Sequence, residues 1–398
     1  MSKSRAPVSV NLTGGGAMPL MGFGCGSPHV ETYLEAFRAG YRHFDTAFSH
    51  FNHAVVGEAI RRSGLPREEV FLTTKVGFLP ASRRCCWGLL ELPGCLSDPP
   101  ADHPLAGGGD YVKGRELPGI RRALAELGLD YIDLCLIHRP AATALEMHAS
   151  YVPHYTMMGV LTRPWARPLL QAVLDAAVRW ESALSGRQAA GAVRAESWRQ
   201  LEEAKRSGLC RHIGVSNYPL TALREMETYA REPPEVLQLE YTPVCQWPEI
   251  YAYARARSIA LTGYGTGVSK GVLGELLSGV ALRLGRTPNQ VLLRWRLQRG
   301  VGLLQGSRDP GRMAENLGVL DFEIPPAEMA LLDGLGVHSF PLYFENSWHD
   351  GLDGGPTRGD AVLAGLVAAP LLLLALGARL CLRCLRRGGG AAEKRKAQ

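Results

Sequence analysis

Several predicted strands end in side chains of the kinds that serve as general acids and bases. Asp45, Lys75 and His138 stand at the ends of three such strands, and the pair Ser216 and Asn217 stands at the end of a fourth. Polar residues at the point where a strand gives way to a loop occupy the position that barrel enzymes use for chemistry. We therefore expect these side chains to meet at one mouth of a barrel.

The elements that must position these residues alternate regularly between strand and helix. A small hairpin over residues 8–21 precedes eight apolar strands, which we predict at 22–24, 41–44, 70–76, 131–138, 212–217, 236–241, 260–264 and 302–305. Eight strands alternating with helices predict a parallel (β/α)₈ barrel over residues 1–325.

Two insertions interrupt this alternation, at about 77–112 and 139–196. The first is rich in Pro, Gly and Cys, and the second is partly helical. Long loops of this kind are either functional lids or disordered excursions, and we expect the first to be a poorly ordered excursion.

Composition sets the protein class. A hydrophobic fraction of 46% and a charged fraction of 21% are those of a globular protein. The nine cysteines lack paired zinc spacing, and no signal peptide is evident, so we expect reduced intracellular thiols. The net charge of +6 lies entirely in the last twenty residues, which removes any charge argument for nucleic acid binding by the main domain.

The C-terminal part predicts attachment to a membrane. After an irregular linker at 326–360, residues 361–378 carry no charged group, and extension past Arg379 gives an anchor segment at 361–385, followed by a basic tail at 386–398. A buried C-terminal helix is the alternative, but Pro370 and the basic tail favour the membrane. We expect the barrel to face the cytosol at the endoplasmic reticulum or the mitochondrial outer membrane, or a cytoplasmic protein if this segment is not an anchor.

The stretch from Gly40 to Ile60 resembles the signature of the aldo-keto reductases, in which a strand is followed by Asp-Thr-Ala-x-x-Tyr-x-Asn-Glu. The match includes Asp45, but position 50 is histidine where the family has its catalytic tyrosine. The flanks of Lys75 and His138 also resemble the family. The resemblance implies that Asp45 pairs with Lys75, that Lys75 tunes the proton donor, and that His138 orients a substrate carbonyl.

The resemblance also implies a nicotinamide cofactor. Ser216 and Asn217 lie in a segment similar to the family's IGVSN and, with Gln238, would bind the nicotinamide carboxamide, while Tyr264 would stack on its ring. The residues that would grip the adenosine 2′-phosphate and adenine are Ser307, Arg308, Arg312, Glu315 and Asn316. The family's lysine before that serine is Gly306 here, so we expect NADPH, with NADH as the alternative.

The histidine at position 50 decides how well such a site works. Lys75 and desolvation disfavour its protonation, whereas Asp45 favours it, so we expect a mostly neutral imidazole and slow turnover. His53 lies at helical spacing from His50, but two histidines without a third ligand predict no metal site.

Two main hypotheses follow. The first is a monomeric, membrane-anchored reductase of small aldehydes and ketones. The second is a catalytically impaired cofactor-binding protein that acts as a redox sensor or scaffold at a membrane. A nucleic-acid binder with a basic tail is a weak third, because the basic residues adjoin an apolar segment.

Overall fold

Eight parallel strands close into a barrel in the computed structural model of the chain, which describes residues 8–77, 114–140, 190–265 and 271–337. The barrel strands are β3 (Met21–Gly24), β4 (His43–Asp45), β5 (Phe71–Val76), β6 (Ile132–Ile137), β7 (Cys210–Ser216), β8 (Val236–Glu240), β9 (Ala260–Tyr264) and β10 (Val301–Leu304). Each pairs in parallel with the next, and β10 closes the ring by pairing with both β9 and β3. The predicted barrel is therefore confirmed.

Helices follow the strands, as the alternation predicts. They are α1 (Val30–Ala39), α2 (His53–Ser63), α3 (Glu116–Leu127), α4 (Ala190–Arg206), α5 (Leu220–Met226), α6 (Pro248–Ala256), α7 (Gly271–Leu284), α8 (Pro288–Gln298), α9 (Pro310–Leu317) and α10 (Pro326–Asp333). Short 3₁₀ turns lie at Phe48–His50, Arg67–Glu69, Gly318–Asp321 and Gly334–Val337.

The predicted N-terminal hairpin closes the end of the barrel opposite the mouth. It consists of β1 (Ser9–Asn11) and β2 (Ala17–Pro19), which pair antiparallel. Leu12 and Met18 from this hairpin pack on inward-facing strand residues, which are Phe71, Leu134, Leu136, Val236 and Ala260. Burial of this apolar cluster provides part of the hydrophobic stabilisation of the barrel and seals its lower end.

Close packing of α2 on α3 depends on one glycine. A Cβ atom at Gly57 would lie 2.0 Å from the main-chain oxygen of Leu127, which is far inside van der Waals contact. Any side chain at position 57 would therefore push the two helices apart. This contact fixes α2, the helix that begins directly after the Asp45 loop.

Two helices correct the predicted boundaries. The stretch 326–337 is not irregular, because Pro326 occupies the first turn of α10 and Leu332 is buried. Proline is well tolerated at that position, since its missing N–H would have had no helical partner. Helix α4 begins at Ala190, inside the predicted insertion 139–196.

Residues 78–112 and 141–189 of the two insertions, and all of the segments 338–360, 361–385 and 386–398, lie outside the described residues. Within the described ranges, none of the helices has the length and apolar character needed to cross a bilayer. The expectation of reduced thiols is wrong for one pair, because Cys135 and Cys210 form a disulfide. Cys25 and Cys245 are free and buried.

Candidate active site at the barrel mouth

A buried ion pair lies at the carboxyl ends of β4 and β5. Lys75 Nζ donates to Asp45 Oδ1 and, over 2.9 Å, to the main-chain oxygen of Thr46. Both side chains are almost fully removed from solvent. A buried pair of this kind is stable only when its remaining polar atoms are also hydrogen-bonded, and the Thr46 carbonyl and further partners of Asp45 meet that need.

His50 lies beside this pair, on the 3₁₀ turn Phe48–His50. Loss of hydration, and next the charge of Lys75, lower the pKa of His50 to about 4, while Asp45 and the main chain of Cys25 act in the opposite direction. One side of the residue is exposed, and solvent there screens part of the charge of Lys75 and Asp45. The ring is neutral at pH 7, as the sequence predicted.

The loop that carries His50 is held in place by the buried side chain of Asn52. Asn52 donates through Nδ2 to the Cys25 carbonyl and to the Tyr33 hydroxyl, both over 2.9 Å, and accepts from Thr46 Oγ1 over 2.6 Å. Phe51, which lies between His50 and Asn52, adopts a left-handed conformation with φ of 51°. That conformation is uncommon for a bulky residue, and the bonds of Asn52 hold it in place.

His53 is turned away from the mouth. Its Nε2 is hydrogen-bonded with Thr74 Oγ1 over 2.8 Å and its Nδ1 with Glu126 Oε2 over 3.1 Å, so it links α2 to β5 and α3. Among the described residues, no three His, Cys, Asp or Glu side chains are placed to hold a metal ion.

The residues predicted for the carboxamide converge at the ends of β7, β8 and β9. Asn217, with φ of 59°, donates through Nδ2 to the His138 carbonyl over 3.0 Å and to Ser216 Oγ over 3.1 Å. Its Oδ1 accepts from the Tyr264 hydroxyl over 2.6 Å. Gln238 donates through Nε2 to Asp45 Oδ2 over 2.9 Å. The structure thus joins this group to the ion pair, a contact that no local sequence signal indicates.

His138 completes the mouth. It directly follows β6, and its main-chain N–H donates to the Val76 carbonyl over 2.7 Å, which continues the pairing of β6 with β5 past the last strand residue. The side chain is half-buried. His138 therefore lies at the same end of the barrel as Lys75 and Asn217.

The predicted adenosine end surrounds the start of α9. Asp309 caps this helix by accepting from the Arg312 N–H over 3.1 Å, and Arg308 and Arg312 are both exposed. A Cβ atom at Gly306 would lie 2.3 Å from the Gly24 carbonyl oxygen. A lysine at position 306 would therefore require a shift of the backbone.

Two of the predicted adenine contacts are engaged within the protein. Glu315 Oε1 accepts from the Thr287 hydroxyl. Asn316 is buried, and its Oδ1 accepts from Asn289 Nδ2 over 2.7 Å. These bonds tie α9 to the start of α8, so the two side chains have a structural role in addition to any contact with a nucleotide.

Comparison with known proteins agrees with this arrangement. The model of the aldo/keto reductase family matches residues 27–336. The chain is 30% identical to an aldo-keto reductase of Mycobacterium sp. strain MCS over 332 residues, which cover 82% of this chain and 90% of the relative. It is also 30% identical to a probable NAD(P)H-dependent D-xylose reductase of Aspergillus fumigatus over 357 residues, with coverage of 82% and 94%.

Solved structures support the fold. The aldo-keto reductase of Bombyx mori in complex with NADP superposes with a TM-score of 0.61 at 22% identity, over 87% of this chain and 98% of that one. An aldo/keto reductase of Brucella melitensis gives a TM-score of 0.59 at 24% identity, over 83% of this chain and all of the other.

Proposed function

Because the chain belongs to the aldo/keto reductase family, we propose that it is an NAD(P)H-dependent oxidoreductase that reduces small aldehydes and ketones to alcohols. The observation that carries the proposal is the buried Asp45–Lys75 pair, which Gln238 joins to the group around Asn217 at the same end of the barrel. Similarity to NAD(P)H-dependent D-xylose reductases supports an aldehyde substrate.

The nicotinamide end of the site fits the cofactor. Ser216, Asn217 and Gln238 present hydroxyl and amide groups side by side, which suits a carboxamide that both donates and accepts. The cofactor supplies hydride when bound, and the protein supplies orientation and electrostatics. At the adenosine end, Arg308 and Arg312 are the cations available for a 2′-phosphate, and NADPH is the proposed cofactor, with NADH as the alternative.

We assign the transfer of a proton to the carbonyl oxygen to His50, Lys75 and Asp45. A neutral imidazole donates a hydrogen bond to a carbonyl oxygen but is a poor proton source. His138 would orient the same carbonyl, and Lys75 would stabilise the alkoxide that develops, since its positive charge is held beside the mouth. We therefore expect slow turnover.

The low pKa of His50 favours a second candidate function, a cofactor-binding protein without useful turnover. One experiment separates the two. NADPH binding is measured by fluorescence titration beside NADPH oxidation with 4-nitrobenzaldehyde, in wild type and Tyr264→Ala. Saturable binding that Tyr264→Ala weakens, with oxidation above the uncatalysed rate, supports the reductase; binding without oxidation supports the second candidate. No binding at millimolar cofactor would remove both.

We also propose attachment to a membrane, with the barrel in the cytosol. Support comes from the anchor segment 361–385, of which residues 361–378 carry no charged group, and from the basic tail 386–398. The endoplasmic reticulum and the mitochondrial outer membrane are the two candidate locations. A chain truncated after Gly359 should become soluble, whereas the full-length chain should resist carbonate extraction. Release of the full-length chain by carbonate would contradict the anchor.

A further inference from the structure

One bulky apolar side chain lies exposed at the mouth of the barrel. Phe51 directly follows His50 and is 50% exposed. The other large apolar side chains that are exposed in the described part of the chain lie elsewhere, at the start of the N-terminal hairpin, on α7 and on α10: Val8, Leu282 and Leu331. A single exposed apolar residue is ordinary on a protein surface, but Phe51 also differs from the rest of its loop in two ways.

The first difference is that the backbone of Phe51 is held in an unfavourable conformation. Its φ is 51° and its ψ is 35°, which is the left-handed region that bulky side chains avoid. The Phe51 N–H donates to the Phe48 carbonyl over 3.1 Å, and the side-chain hydrogen bonds of Asn52 fix the next residue. A glycine or an asparagine would adopt this conformation more easily. Backbone strain of this kind is concentrated at sites that bind ligands.

The second difference is that another aromatic residue provides the apolar anchor of the loop. Phe48 is 1% exposed, and its ring packs edge-on against the ring of His53, with the two ring centroids 4.9 Å apart. Burial of Phe48 therefore attaches the 3₁₀ turn to α2. Phe51, three residues further along, keeps half of its surface in solvent. The loop thus has its buried contact without the exposed face of the Phe51 ring.

Room beside the same loop comes from Gly26, two residues after β3. The carbonyl of the preceding residue, Cys25, accepts from Asn52 Nδ2 over 2.9 Å, and the His50 ring also bonds to the main chain of Cys25. The peptide unit that joins Cys25 to Gly26 therefore touches the His50 loop. A Cβ atom at Gly26 would have no atom of the described residues within 4 Å, and the φ of Gly26 lies outside the left-handed region. Neither the backbone nor the packing of the described residues requires a glycine there.

We propose that Phe51, together with the space at Gly26, binds the apolar part of the substrate and makes the site selective for aldehydes and ketones that carry an aromatic ring. This inference rests on the proposed reductase function, whose substrate class it narrows. An aromatic ring on the carbonyl compound would cover the exposed face of Phe51, so both surfaces would be removed from water. The hydroxyl groups of a small sugar aldehyde would gain nothing from that contact. The carbonyl group would lie toward His50, which directly precedes Phe51.

The substrate preference of the full-length protein tests this assignment. The ratio of kcat/KM for 2-naphthaldehyde to kcat/KM for glyceraldehyde is measured with NADPH in wild type, Phe51→Ser and Phe51→Leu. Wild type should prefer the naphthaldehyde. Phe51→Ser should reduce the ratio by about tenfold, mainly through KM, because about 60 Å² of apolar surface would no longer be shielded from water. Phe51→Leu retains an apolar side chain and should keep most of the preference.

Gly26→Leu tests the space beside the loop. No described atom obstructs a Cβ atom there, so the variant should keep the melting temperature of wild type and still reduce the ratio, because the bulkier aldehyde needs the room. Leu282→Ser is the matched control, since that leucine is 85% exposed on α7, and it should keep the wild-type ratio. A wild-type preference for glyceraldehyde, or a ratio that Phe51→Ser leaves unchanged, would overturn the proposal. An unchanged ratio in Gly26→Leu would overturn the part assigned to the space.

Failure of the proposed function has a different signature. If wild type reduces neither aldehyde, the reductase proposal fails, and calorimetric titration with 2-naphthalenemethanol, an alcohol that binds without accepting hydride, decides the assignment of Phe51. Binding that Phe51→Ser weakens by about tenfold supports an apolar contact surface at Phe51. No binding by wild type, or equal binding by wild type and Phe51→Ser, would overturn it.

Discussion

The two ends of the barrel each hold a buried carboxylate, but the two are completed differently. At the lower end, Glu235 accepts from the Gly14 N–H, from His212 Nδ1 and from Lys205 Nζ, over 2.8, 2.8 and 3.0 Å. At the mouth, Asp45 accepts from Lys75 and Gln238, and the exposed His50 lies beside them. The lower carboxylate is enclosed by the hairpin, whereas the upper one, although also buried, lies beside an exposed residue.

The two carboxylates differ in what their ion pairs act on. Burial alone would raise the pKa of Glu235, but hydrogen bonds from His212 and Lys205 lower it to about 2. The negative charge of Glu235 therefore stabilises contacts within the protein. At the mouth, loss of hydration lowers the pKa of His50, and the charge of Lys75 lowers it further. A buried pair whose field still reaches an exposed titratable group can do chemistry on an incoming molecule.

The largest effect is expected at the mouth, where His50→Tyr should raise carbonyl reduction by about 10²–10⁴-fold, the usual contribution of a general acid. Lys75 disfavours a protonated histidine but stabilises a phenolate, so the same charge makes tyrosine the better donor. NADPH oxidation with 4-nitrobenzaldehyde measures the gain.

His50→Phe is the matched control, because it supplies a ring of similar size without a hydroxyl and should gain nothing. If His50→Tyr binds NADPH normally and is no faster than His50→Phe, position 50 is not what limits the rate. A brisk wild-type enzyme that His50→Tyr slows would show that the imidazole is a working acid.

The next effect concerns the adenosine end of the mouth. If Arg308 or Arg312 binds the 2′-phosphate, its replacement by alanine should weaken NADPH by about ten- to a hundredfold, the value of one charge-assisted hydrogen bond, and leave NADH nearly unchanged. Titration with both nucleotides measures this difference. Arg38→Ala is a control, since that arginine is exposed and paired with Glu35 on α1. An equal loss for NADPH and NADH would show that these arginines do not contact the 2′-phosphate.

At the lower end, Glu235→Gln should reduce the free energy of unfolding by about 1–3 kcal/mol, because Lys205 and His212 lose a buried charged acceptor. Cofactor affinity should stay the same, since the site is at the other end. Urea denaturation measures the loss, and Glu58→Gln, which breaks an exposed pair with Arg61, should change stability by less than about 0.5 kcal/mol. If both variants behave alike, the lower cluster does not stabilise the barrel.

The sequence predicted the barrel strands because most are short apolar runs that alternate with helical segments, and the polar residues at the ends of several runs also identified Asp45 and Lys75. It failed where local signals compete. Residues 326–337 were predicted to be part of an irregular linker, although a proline in the first turn can start a helix such as α10.

Contacts that depend on closure of the ring were out of reach of sequence patterns. Gln238 and Asp45 are 193 residues apart, and no spacing rule relates them. The Cys135–Cys210 disulfide, with a separation of 75 residues, was missed for the same reason. The packing of Gly306 against Gly24 is a third case, since the sequence shows only that a lysine is missing.

The smallest expected effect is the response of His50 to acid. Its pKa in the folded protein, lowered to about 4, is below the value of about 6.5 for an unfolded chain, so the neutral ring favours the fold. That contribution is complete above about pH 6.5 and is lost as the pH falls toward 4. If protonation of His50 increases the activity, the increase should begin only as the pH approaches 4. An unperturbed histidine would instead begin to gain activity as soon as the pH falls below about 6.5. Nuclear magnetic resonance titration of the His50 ring, with His50→Gln to assign the signal, measures the pKa directly. A midpoint near 6.5 would mean that neither loss of hydration nor the charge of Lys75 acts on position 50, and the contrast between the two ends of the barrel would then be lost.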